Sequence, residues 1–351
     1  MDTEENVRHP YTIQTGAAKQ RLDDERGLDM ARTQKANHPS GVAALSRVPR
    51  AWYRKYLDNY ELLLLFLPTF LCLLFFIYIP IGGVVMAFKD YKVSMASIWE
   101  APWVGLKHFE KLFTSLSFKP VMGNTIKISL LRLLFGFPAP VIFALMLNEL
   151  RGTYKKISQT ISYLPHFLSW VILYGVFVQF LSPTSGPLNE IIKRLGGKSI
   201  YFLGSKTWFV PTIIVTGIWQ SMGWGSVVYL AAIAGISVEQ YESAVIDGAT
   251  RFQKMVHITL PSILPTVVIM LIMQTGNILN AGFDQIFNMY NDAVLSVADI
   301  LDTYVYRQGL QNMNYSFSTA VGLLKNVIGF AMVLGTNFIV RRLTDKEMGI
   351  W

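Results

Sequence analysis

Residues 236–261 read ISVEQYESAVIDGATRFQKMVHITLP and lie between two long apolar segments of the chain. Ser237 with Gln240 predicts a capping box, in which each side chain bonds the backbone N–H of the other residue at a helix start. The same pair of residue types recurs from Thr250, ahead of a second apolar pattern. The Asp-Gly pair that ends at Gly248 is typical of a turn. The stretch therefore predicts two short helices joined by a glycine turn.

The composition around this stretch is that of a membrane protein. Of the 351 residues, 52% are hydrophobic and 15% are charged, whereas a soluble domain has about 25% charged residues. The net charge of +8 is then better explained by basic residues on the cytoplasmic side of a bilayer than by a nucleic-acid partner. The single cysteine, Cys72, excludes an intrachain disulfide framework. The five histidines show no metal-ligand spacing, so no metal site is predicted.

Six segments are long and apolar enough to cross a bilayer, which takes about 20 apolar residues for a hydrocarbon core of ~30 Å. These predicted spans are 62–88, 121–147, 161–181, 208–235, 261–279 and 319–340. The sequence therefore predicts an all-α membrane protein with a transmembrane domain over 51–345. Residues 1–50 are polar and lack apolar periodicity, so they are predicted to form a flexible tail, and 346–351 are left as a C-terminal end.

The orientation follows from the basic residues next to the spans. An even number of spans places both termini on one side of the membrane, and short basic clusters mark the cytoplasmic side. The clusters that adjoin span ends are Arg50, Arg54 and Lys55, then Arg151, Lys155 and Lys156, then Arg341 and Arg342. Both termini, the tail and the 236–260 loop are therefore predicted to be cytoplasmic.

The 236–260 loop resembles the signature loop of the permease subunits of binding-protein-dependent ABC importers. The matching residues are Glu242-Ser243-Ala244, Asp247-Gly248-Ala249 and Ile258-Thr259-Leu260-Pro261. In that family the loop inserts into a cleft of a cytoplasmic ATPase subunit. The resemblance implies that Glu242 is the acidic contact, Gly248 the hinge, and Leu260-Pro261 the anchor to the fifth span. Ser243 replaces the family's usual alanine, a change between small residues.

Further motifs resemble the polysaccharide-type branch of carbohydrate permeases, which is similar to the larger maltose-transporter permease. They are FKDY at 88–91, WVGL at 103–106, NTIKISL at 124–130, GNILN at 276–280 and FDQIF at 283–287. The resemblance implies the type I ABC importer permease fold, with six transmembrane helices in the cell membrane of a bacterial-type cell. It also implies import of an oligosaccharide that an extracellular solute-binding protein delivers.

The same resemblance implies the other parts of the transporter. A second related permease chain and two copies of a cytoplasmic ATPase subunit are expected as partners, besides membrane lipid. ATP and Mg are expected on the ATPase, and this chain is expected to bind no cofactor and to be no enzyme. The sequence agrees, since its nearest approach to a phosphate-binding loop, Gly197-Lys198-Ser199, has isoleucine at 192 where the leading glycine belongs.

Candidate substrate contacts are amides and aromatics in spans four and five, because sugar hydroxyls need hydrogen bonds and sugar ring faces stack on aromatic rings. They are Trp219, Gln220, Trp224 and Tyr229, followed by Asn277, Asn280 and Asp284. Asn277 and Asn280 are predicted to share one helical face. The alternative for any amide in a span is hydrogen bonding between helices. Small residues at 217, 221 and 225 are interpreted as a close-packing stripe.

Three cations lie inside predicted spans: Lys127, Arg132 and Lys325. A cation in a span is a functional candidate, and an anionic sugar such as a uronate would fit it. Alternatively, Lys127 and Lys325 lie near span ends and could extend their ammonium groups toward water. Two other classes stay open: a secondary transporter driven by an ion gradient, and an ABC importer of a non-sugar solute such as an amino acid or peptide. Inverted repeats and acidic residues at mid-span, which favour the former, are not found.

Overall fold

The structure is a computed structural model that describes residues 60–344. The chain divides into two compact units, Met1–Leu74 and Phe75–Trp351. Of the first unit, residues from Tyr60 onward are described, and they form a helix with Pro68 inside it. The predicted tail 1–50 and the C-terminal end 346–351 lie outside the described residues, so these parts of the domain division stay predictions.

Every regular element between residues 60 and 344 is helical, and the β-structure there is a single isolated bridge between Lys89 and Trp103. The predicted all-α class is confirmed. The α-helices are α1 Tyr60–Leu73, α2 Ile79–Ile81, α3 Lys107–Thr114, α4 Phe118–Leu131, α5 Pro138–Glu149, α6 Gly152–Tyr163, α7 Trp170–Phe180, α8 Pro187–Arg194, α9 Lys206–Ala234, α10 Val238–Ile246, α11 Arg251–Lys254, α12 Leu260–Gly276, α13 Phe283–Met289, α14 Leu295–Ala298, α15 Leu301–Tyr306 and α16 Tyr315–Leu343. Shorter 3₁₀ segments are Gly82–Phe88, Ile98–Glu100 and Leu164–Phe167, and π-helical turns are Leu74–Tyr78, Arg132–Gly136, Met255–Thr259 and Arg307–Gln311.

Five helical runs in the described part of the chain are long and apolar enough to cross a membrane. They are Tyr60–Phe88, Phe118–Glu149, Lys206–Ala234, Arg251–Gly276 and Tyr315–Arg342. Each coincides with one of the predicted spans. Two further helices, which meet at a bend, pass the same test when they are counted together as one span. The number of candidate spans is then six.

That bent pair occupies the place of the third predicted span. Gly152–Phe167 and Trp170–Phe180 meet at an angle of 105° instead of forming one straight helix. Pro165 lies in the 3₁₀ segment before the bend, and the Ser169 hydroxyl caps the second helix by accepting the Ile172 N–H at 3.4 Å. At ~1.5 Å per residue the second helix is about 16 Å long, roughly half the hydrocarbon thickness. It can cross the membrane only together with its partner.

Other prolines follow π-helical turns inside long helical runs. Pro138 and Pro140 have no backbone N–H to donate, and just before them the Phe137 N–H bonds the Arg132 carbonyl at 3.1 Å, one residue further back than in an α-helix. The π turn ahead of Pro261 acts in the same way. As a result the second short helix of the 236–260 loop is not separate. It is the beginning of the helical run that continues to Gly276.

Buried side chains of the second unit form three apolar clusters. One contains Ile128 of α4 together with Phe209, Val210 and Ile213 of α9. It also contains Ile286 from residues 280–314, which connect the end of α12 to α16 and are called the 280–314 connection. The same cluster takes in further buried residues of that connection, namely Ala281, Met289, Val294, Ala298 and Ile300. A second cluster, around Tyr229, lies near the other end of α9. The 280–314 connection is therefore part of the core and not a solvated loop.

Candidate functional site

A cavity of about 520 Å³ lies among the α4–α5 run, α9 and the end of α12. Its volume falls within the ~300–1,000 Å³ of typical ligand sites. Apolar side chains such as Leu133, Ile218 and Met270 form part of its wall. The polar residues that line it are Ser129, Arg132, Ser221, Tyr229, Gln274, Asn277 and Asn280. The cavity thus combines an apolar wall with hydrogen-bonding groups and one positive charge.

The cavity lies where α9 passes from one apolar cluster to another. Ile214 belongs to the first cluster and Tyr229 to the other, and one side of the helix between them lines the cavity. Gly217 and Gly225 pack closely, as predicted: a Cβ at Gly225 would lie 3.0 Å from the Pro140 side chain. With Ser221 they also line the cavity. Their interpretation as a packing stripe alone is therefore incomplete.

Asn277 and Asn280 both reach the cavity, but not from a helical face. Helix α12 ends at Gly276, and the two asparagines lie in the turn that follows it. Asn277 Nδ2 donates to the Met273 carbonyl at 3.4 Å, and Asn280 Nδ2 donates to Asn277 Oδ1 at 3.1 Å. Asparagine side chains compete in this way for backbone groups and favour helix ends. The prediction that the fifth span continues to 279 is wrong for this reason.

Trp219, Gln220 and Trp224 lie on a different side of α9 and contact the bent pair instead of the cavity. Trp219 packs edge-on against Phe177, with ring centroids 5.7 Å apart. Trp224 stacks on His166 at 5.1 Å, and Gln220 Nε2 donates to the His166 carbonyl at 3.5 Å. None of the three side chains lines the cavity, because each is held by a contact to the bent pair. Asp284 is exposed on α13, away from the cavity lining.

Arg132 is bound to an amide, not to a carboxylate. Its guanidinium donates to Gln285 Oε1, and Gln285 Nε2 donates at 2.8 Å to both the Ile213 carbonyl and the Thr216 hydroxyl. Gln285 is almost fully buried, so this network joins α4, α9 and α13. From the sequence, Gln285 appears within the FDQIF motif at 283–287 but receives no role, because its partners are distant in the chain.

Lys325 is bound by a carboxylate, which corrects the interpretation that it extends toward water. Its ammonium lies 2.5 Å from Asp302 Oδ1, and the two side chains are only 17% and 20% exposed. Lys127, in contrast, is exposed on the described surface. No local pattern predicts the Lys325 pair, because Asp302 belongs to a separate element, the 280–314 connection.

A second ion pair lies inside that connection. Arg307 Nη2 is 2.5 Å from Asp299 Oδ2, and Thr303 donates to the other oxygen of Asp299 at 2.7 Å. Burial lowers the pKa of Arg307, but the hydrogen bond and negative charge of Asp299 outweigh it and leave that pKa above its ordinary value. The pair therefore stays charged and holds the connection in its folded shape.

A further cavity, of about 550 Å³, lies against the 280–314 connection and the start of α16. It is lined by Asn280, Phe283, Asp302, Tyr306, Tyr315 and Thr319. Phe283 and Tyr306 have ring centroids 5.9 Å apart, so part of its wall is aromatic. Asn280 lines both cavities, which makes it the residue that they share.

The helix-turn-helix predicted for the 236–260 loop is present. At the end of α10 the Gly248 N–H bonds the Val245 carbonyl at 3.1 Å and the Ala249 N–H bonds the Ala244 carbonyl at 2.8 Å, the pattern of a Schellman C-cap. Gly248 has φ +76°, a left-handed conformation that favours glycine. This explains why the turn has a glycine at this position.

The caps of the two helices differ. Thr250 and Gln253 form the predicted capping box, with the Thr250 N–H 2.8 Å from Gln253 Oε1 and the Gln253 N–H 3.3 Å from Thr250 Oγ1. Ser237 instead accepts the Glu239 N–H at 3.3 Å, so its predicted box with Gln240 is not formed. The hydroxyl of a serine N-cap can serve either of the first free N–H groups.

The predicted coupling residues form an exposed patch around this turn. Glu242, Ser243, Asp247 and Gly248 are exposed, and Ala244 is half-buried. Pro261 is exposed at the start of α12, next to Leu260, which packs against the cluster around Tyr229. Apolar side chains are exposed on the same segment, with Ile246 at 86% and Phe252 at 68%. This mixture of an acid and apolar groups is typical of a surface that binds another protein.

The fold and this segment define a membrane component of a transport system, and comparison with known proteins identifies the class. Residues 136–345 match the family of binding-protein-dependent transport system inner membrane components, and the chain belongs to that family. The predicted family and location are confirmed: the chain is a multi-pass protein of the bacterial cytoplasmic membrane. A secondary transporter is thereby excluded.

Two proteins of Bacillus subtilis are similar to this chain over most of its length. It is 45% identical over 287 residues to Protein LplB of Bacillus subtilis (strain 168), covering 82% of this chain and 90% of that protein. It is 40% identical to the polygalacturonan/rhamnogalacturonan transport system permease protein YteP of the same organism, covering 83% and 91%.

Two solved structures are similar over almost their whole length. One is a chain of a bacterial ABC transporter involved in the import of the acidic polysaccharide alginate, with 42% identity, a TM-score of 0.76, and coverage of 83% of this chain and 99% of that one. The other is a chain of a bacterial alginate ABC transporter in complex with an alginate pentasaccharide-bound periplasmic protein, with 41% identity, a TM-score of 0.77, and coverage of 85% and 99%. The type I permease fold is thereby confirmed.

Proposed function

We propose that this chain is the permease subunit of an ATP-driven importer that moves an oligosaccharide delivered by an extracellular binding protein. The observation that supports it most is the cavity of about 520 Å³, with its amides beside apolar walls. The transport of saccharides by the relatives named above supports the same substrate class. An importer of an amino acid or peptide is the second candidate, but no feature of the cavity favours it.

Within the cavity, Tyr229, Asn277 and Asn280 are the proposed saccharide contacts. Amide groups both donate and accept hydrogen bonds, which matches the paired needs of sugar hydroxyls. Asn280 uses one amide N–H on Asn277, which leaves the rest of its side chain for a ligand. Trp219, Gln220, Trp224 and Asp284 are not cavity residues in this conformation, so the proposal gives them no direct contact.

The energy for transport is proposed to come from two copies of a cytoplasmic ATPase subunit, which bind ATP and Mg. The exposed patch around Glu242 and Gly248 would enter a cleft on that subunit, with both termini of this chain on the same, cytoplasmic side. Glu242 would meet a basic group, while Ile246 and Phe252 would lose their exposure to water. A second, related permease chain would complete the pathway.

The coupling proposal is tested by reversing the charge of Glu242. A charge-assisted contact contributes roughly 1–3 kcal/mol, so Glu242→Lys should reduce co-purification of the ATPase by at least tenfold and abolish uptake. Gln240→Lys is the matched control, because it introduces the same ammonium group on the opposite side of α10. Full ATPase retention and uptake by Glu242→Lys would contradict the proposed docking.

The substrate proposal is tested by comparing cavity and non-cavity amides. Asn280→Ala should lower saccharide uptake by roughly tenfold, since a lost hydrogen bond costs about 1–1.5 kcal/mol. Gln220→Ala, which removes an amide outside the cavity, should stay within about twofold of the wild type. Uptake would be measured with the complete transporter in liposomes. Equal losses in both variants would contradict the assignment of this cavity.

A further inference from the structure

The cavity wall contains a half-buried cation without a counterion. Arg132 is bonded to the neutral amide of Gln285, and among residues 60–344 no carboxylate oxygen lies within 4.0 Å of its nitrogens. Moving a cation out of water costs several kcal/mol even after the protein relaxes. An amide oxygen offsets part of that cost as a dipole but leaves the net charge uncompensated. The site is therefore suited to an anion.

The guanidinium is placed to meet such an anion. Its Nη1 lies 3.7 Å from the position that a Cβ on Gly217 would take, on the stretch of α9 that lines the cavity. The absence of a side chain at Gly217 lets Arg132 and Gln285, whose Oε1 lies 3.1 Å from the same position, come close to α9. A guanidinium has five N–H donors, and the Nε of Arg132 has no hydrogen-bond partner. Because Nε is itself buried and Nη2 donates to Gln285, the donors left for a ligand at the cavity wall are those of Nη1, which makes no hydrogen bond within residues 60–344.

A second unpartnered group lies one helical turn earlier. The hydroxyl of Ser129 is buried and has no hydrogen-bond partner, although the residue lines the same cavity. Residues at i and i+3 lie on one side of a helix, so Ser129 and Arg132 present a hydroxyl and a cation together. Across the cavity, Asn277 and Asn280 supply groups for neutral hydroxyls.

We infer that the saccharide is a uronate and that Arg132 recognises its carboxylate, with Ser129 as an additional donor. The inference rests on the proposed function and narrows its substrate class. Arginine favours this role because its planar donors match the two oxygens of a carboxylate. The other two cations of the spans do not compete, since Lys325 is neutralised by Asp302 and Lys127 does not line the cavity.

The test uses the purified complete transporter without its binding protein, so that the specificity of the membrane part is measured alone. The probes are trigalacturonate and its fully methyl-esterified form, which differ in charge and share their hydroxyls. Binding of each is measured by titration calorimetry. The wild type should bind the acid at least tenfold more tightly than the ester, and added salt should reduce that preference.

Three variants separate charge from structure. Arg132→Gln removes the cation, while Gln285→Glu leaves the guanidinium in place and neutralises it from within. Both should remove the preference for the acid and leave affinity for the ester within about threefold. Arg132→Lys should keep most of the preference, because it keeps the charge. Lys127→Gln is the matched control, an exposed cation on the same helical run, and should behave as the wild type.

Several results would overturn the inference. Equal losses for acid and ester in Arg132→Gln, or failure of both Arg132→Gln and Gln285→Glu to assemble, would give Arg132 a purely structural role. Tighter binding of the ester by the wild type would refute the uronate and leave the proposed saccharide import standing. If the wild type neither binds these probes nor takes up any saccharide in liposomes, both the inference and the proposed function fail.

Discussion

Lys325 and Arg132 are two cations that fix spanning helices to the 280–314 connection, and they do so in opposite ways. Lys325 of α16 forms an ion pair with Asp302, whereas Arg132 at the end of α4 donates to the neutral Gln285. The first pair has no net charge and needs nothing further. The second keeps its charge beside a cavity. The comparison suggests that a carboxylate marks a structural attachment and an amide marks a cation kept for another purpose.

The largest expected effect on stability is at the ion pair between Lys325 and Asp302. Asp302→Asn would leave the ammonium of Lys325 buried without its counterion, which should lower the free energy of unfolding by about 3 kcal/mol. Thermal unfolding of the detergent-purified chain measures this. Asp90→Asn is the control, because the Lys107–Asp90 pair is 3.6 Å long with side chains 62% and 35% exposed and should lose less than about 1 kcal/mol. Equal effects in both variants would remove the distinction.

The next effect concerns the backbone under Arg132. Gly282 has φ +89°, and a Cβ there would overlap the guanidinium of Arg132. Gly282→Ala therefore adds strain and displaces the contact with Gln285, and should cost about 2 kcal/mol in the free energy of unfolding. The same unfolding measurement checks it. A stability unchanged from the wild type would show that the amide contact contributes little.

A smaller effect on stability is expected at the glycine turn of the 236–260 loop. Gly248 has φ +76° but nothing within 4 Å of an added Cβ, so Gly248→Ala adds strain without a clash and should cost about 1 kcal/mol. Unfolding measured beside Gly282→Ala gives the difference between the two sites. A loss at Gly248 as large as at Gly282 would mean that strain alone explains both.

The smallest effect is expected at the third cation. Lys127 is exposed and makes no ion pair within the described part of the chain, so Lys127→Gln should change the free energy of unfolding by less than about 0.5 kcal/mol. Thermal unfolding of the purified chain again serves as the measurement. A large loss would reveal a partner for Lys127 that the comparison lacks.

Much of the fold could be predicted because its signals are local. Hydropathy located all the spans, and the residues around Gly248 and Thr250 predicted the turn and the second cap. Local patterns cannot give directions in space. Hydropathy sums apolar residues without regard to a 105° bend, so it predicts the bent pair as a single span over 161–181.

The candidate site was less predictable because its contacts join distant parts of the chain. Arg132 and Gln285 are 153 residues apart, and Lys325 and Asp302 are separated by a turn that no pattern predicts. Residue type alone selected Trp219 and Trp224, but their rings pack against the bent pair. Asn277 and Asn280 were correctly placed near each other, although a helix end, not a helical face, joins them.

The continuous helix from Arg251 to Gly276 has a mechanical consequence. It has 26 residues, which makes it about 39 Å long, and it starts beside Gly248 and stops one residue before Asn277. A tilt of ~10° about its midpoint would displace each end by about 3 Å, with no flexible joint in between except the π turn before Leu260. A displacement of the loop would therefore move the cavity amides at the other end of this rigid helix. Because Asn280 follows the end of this helix and lines both cavities, a single tilt of the helix would change the shape of the two cavities together.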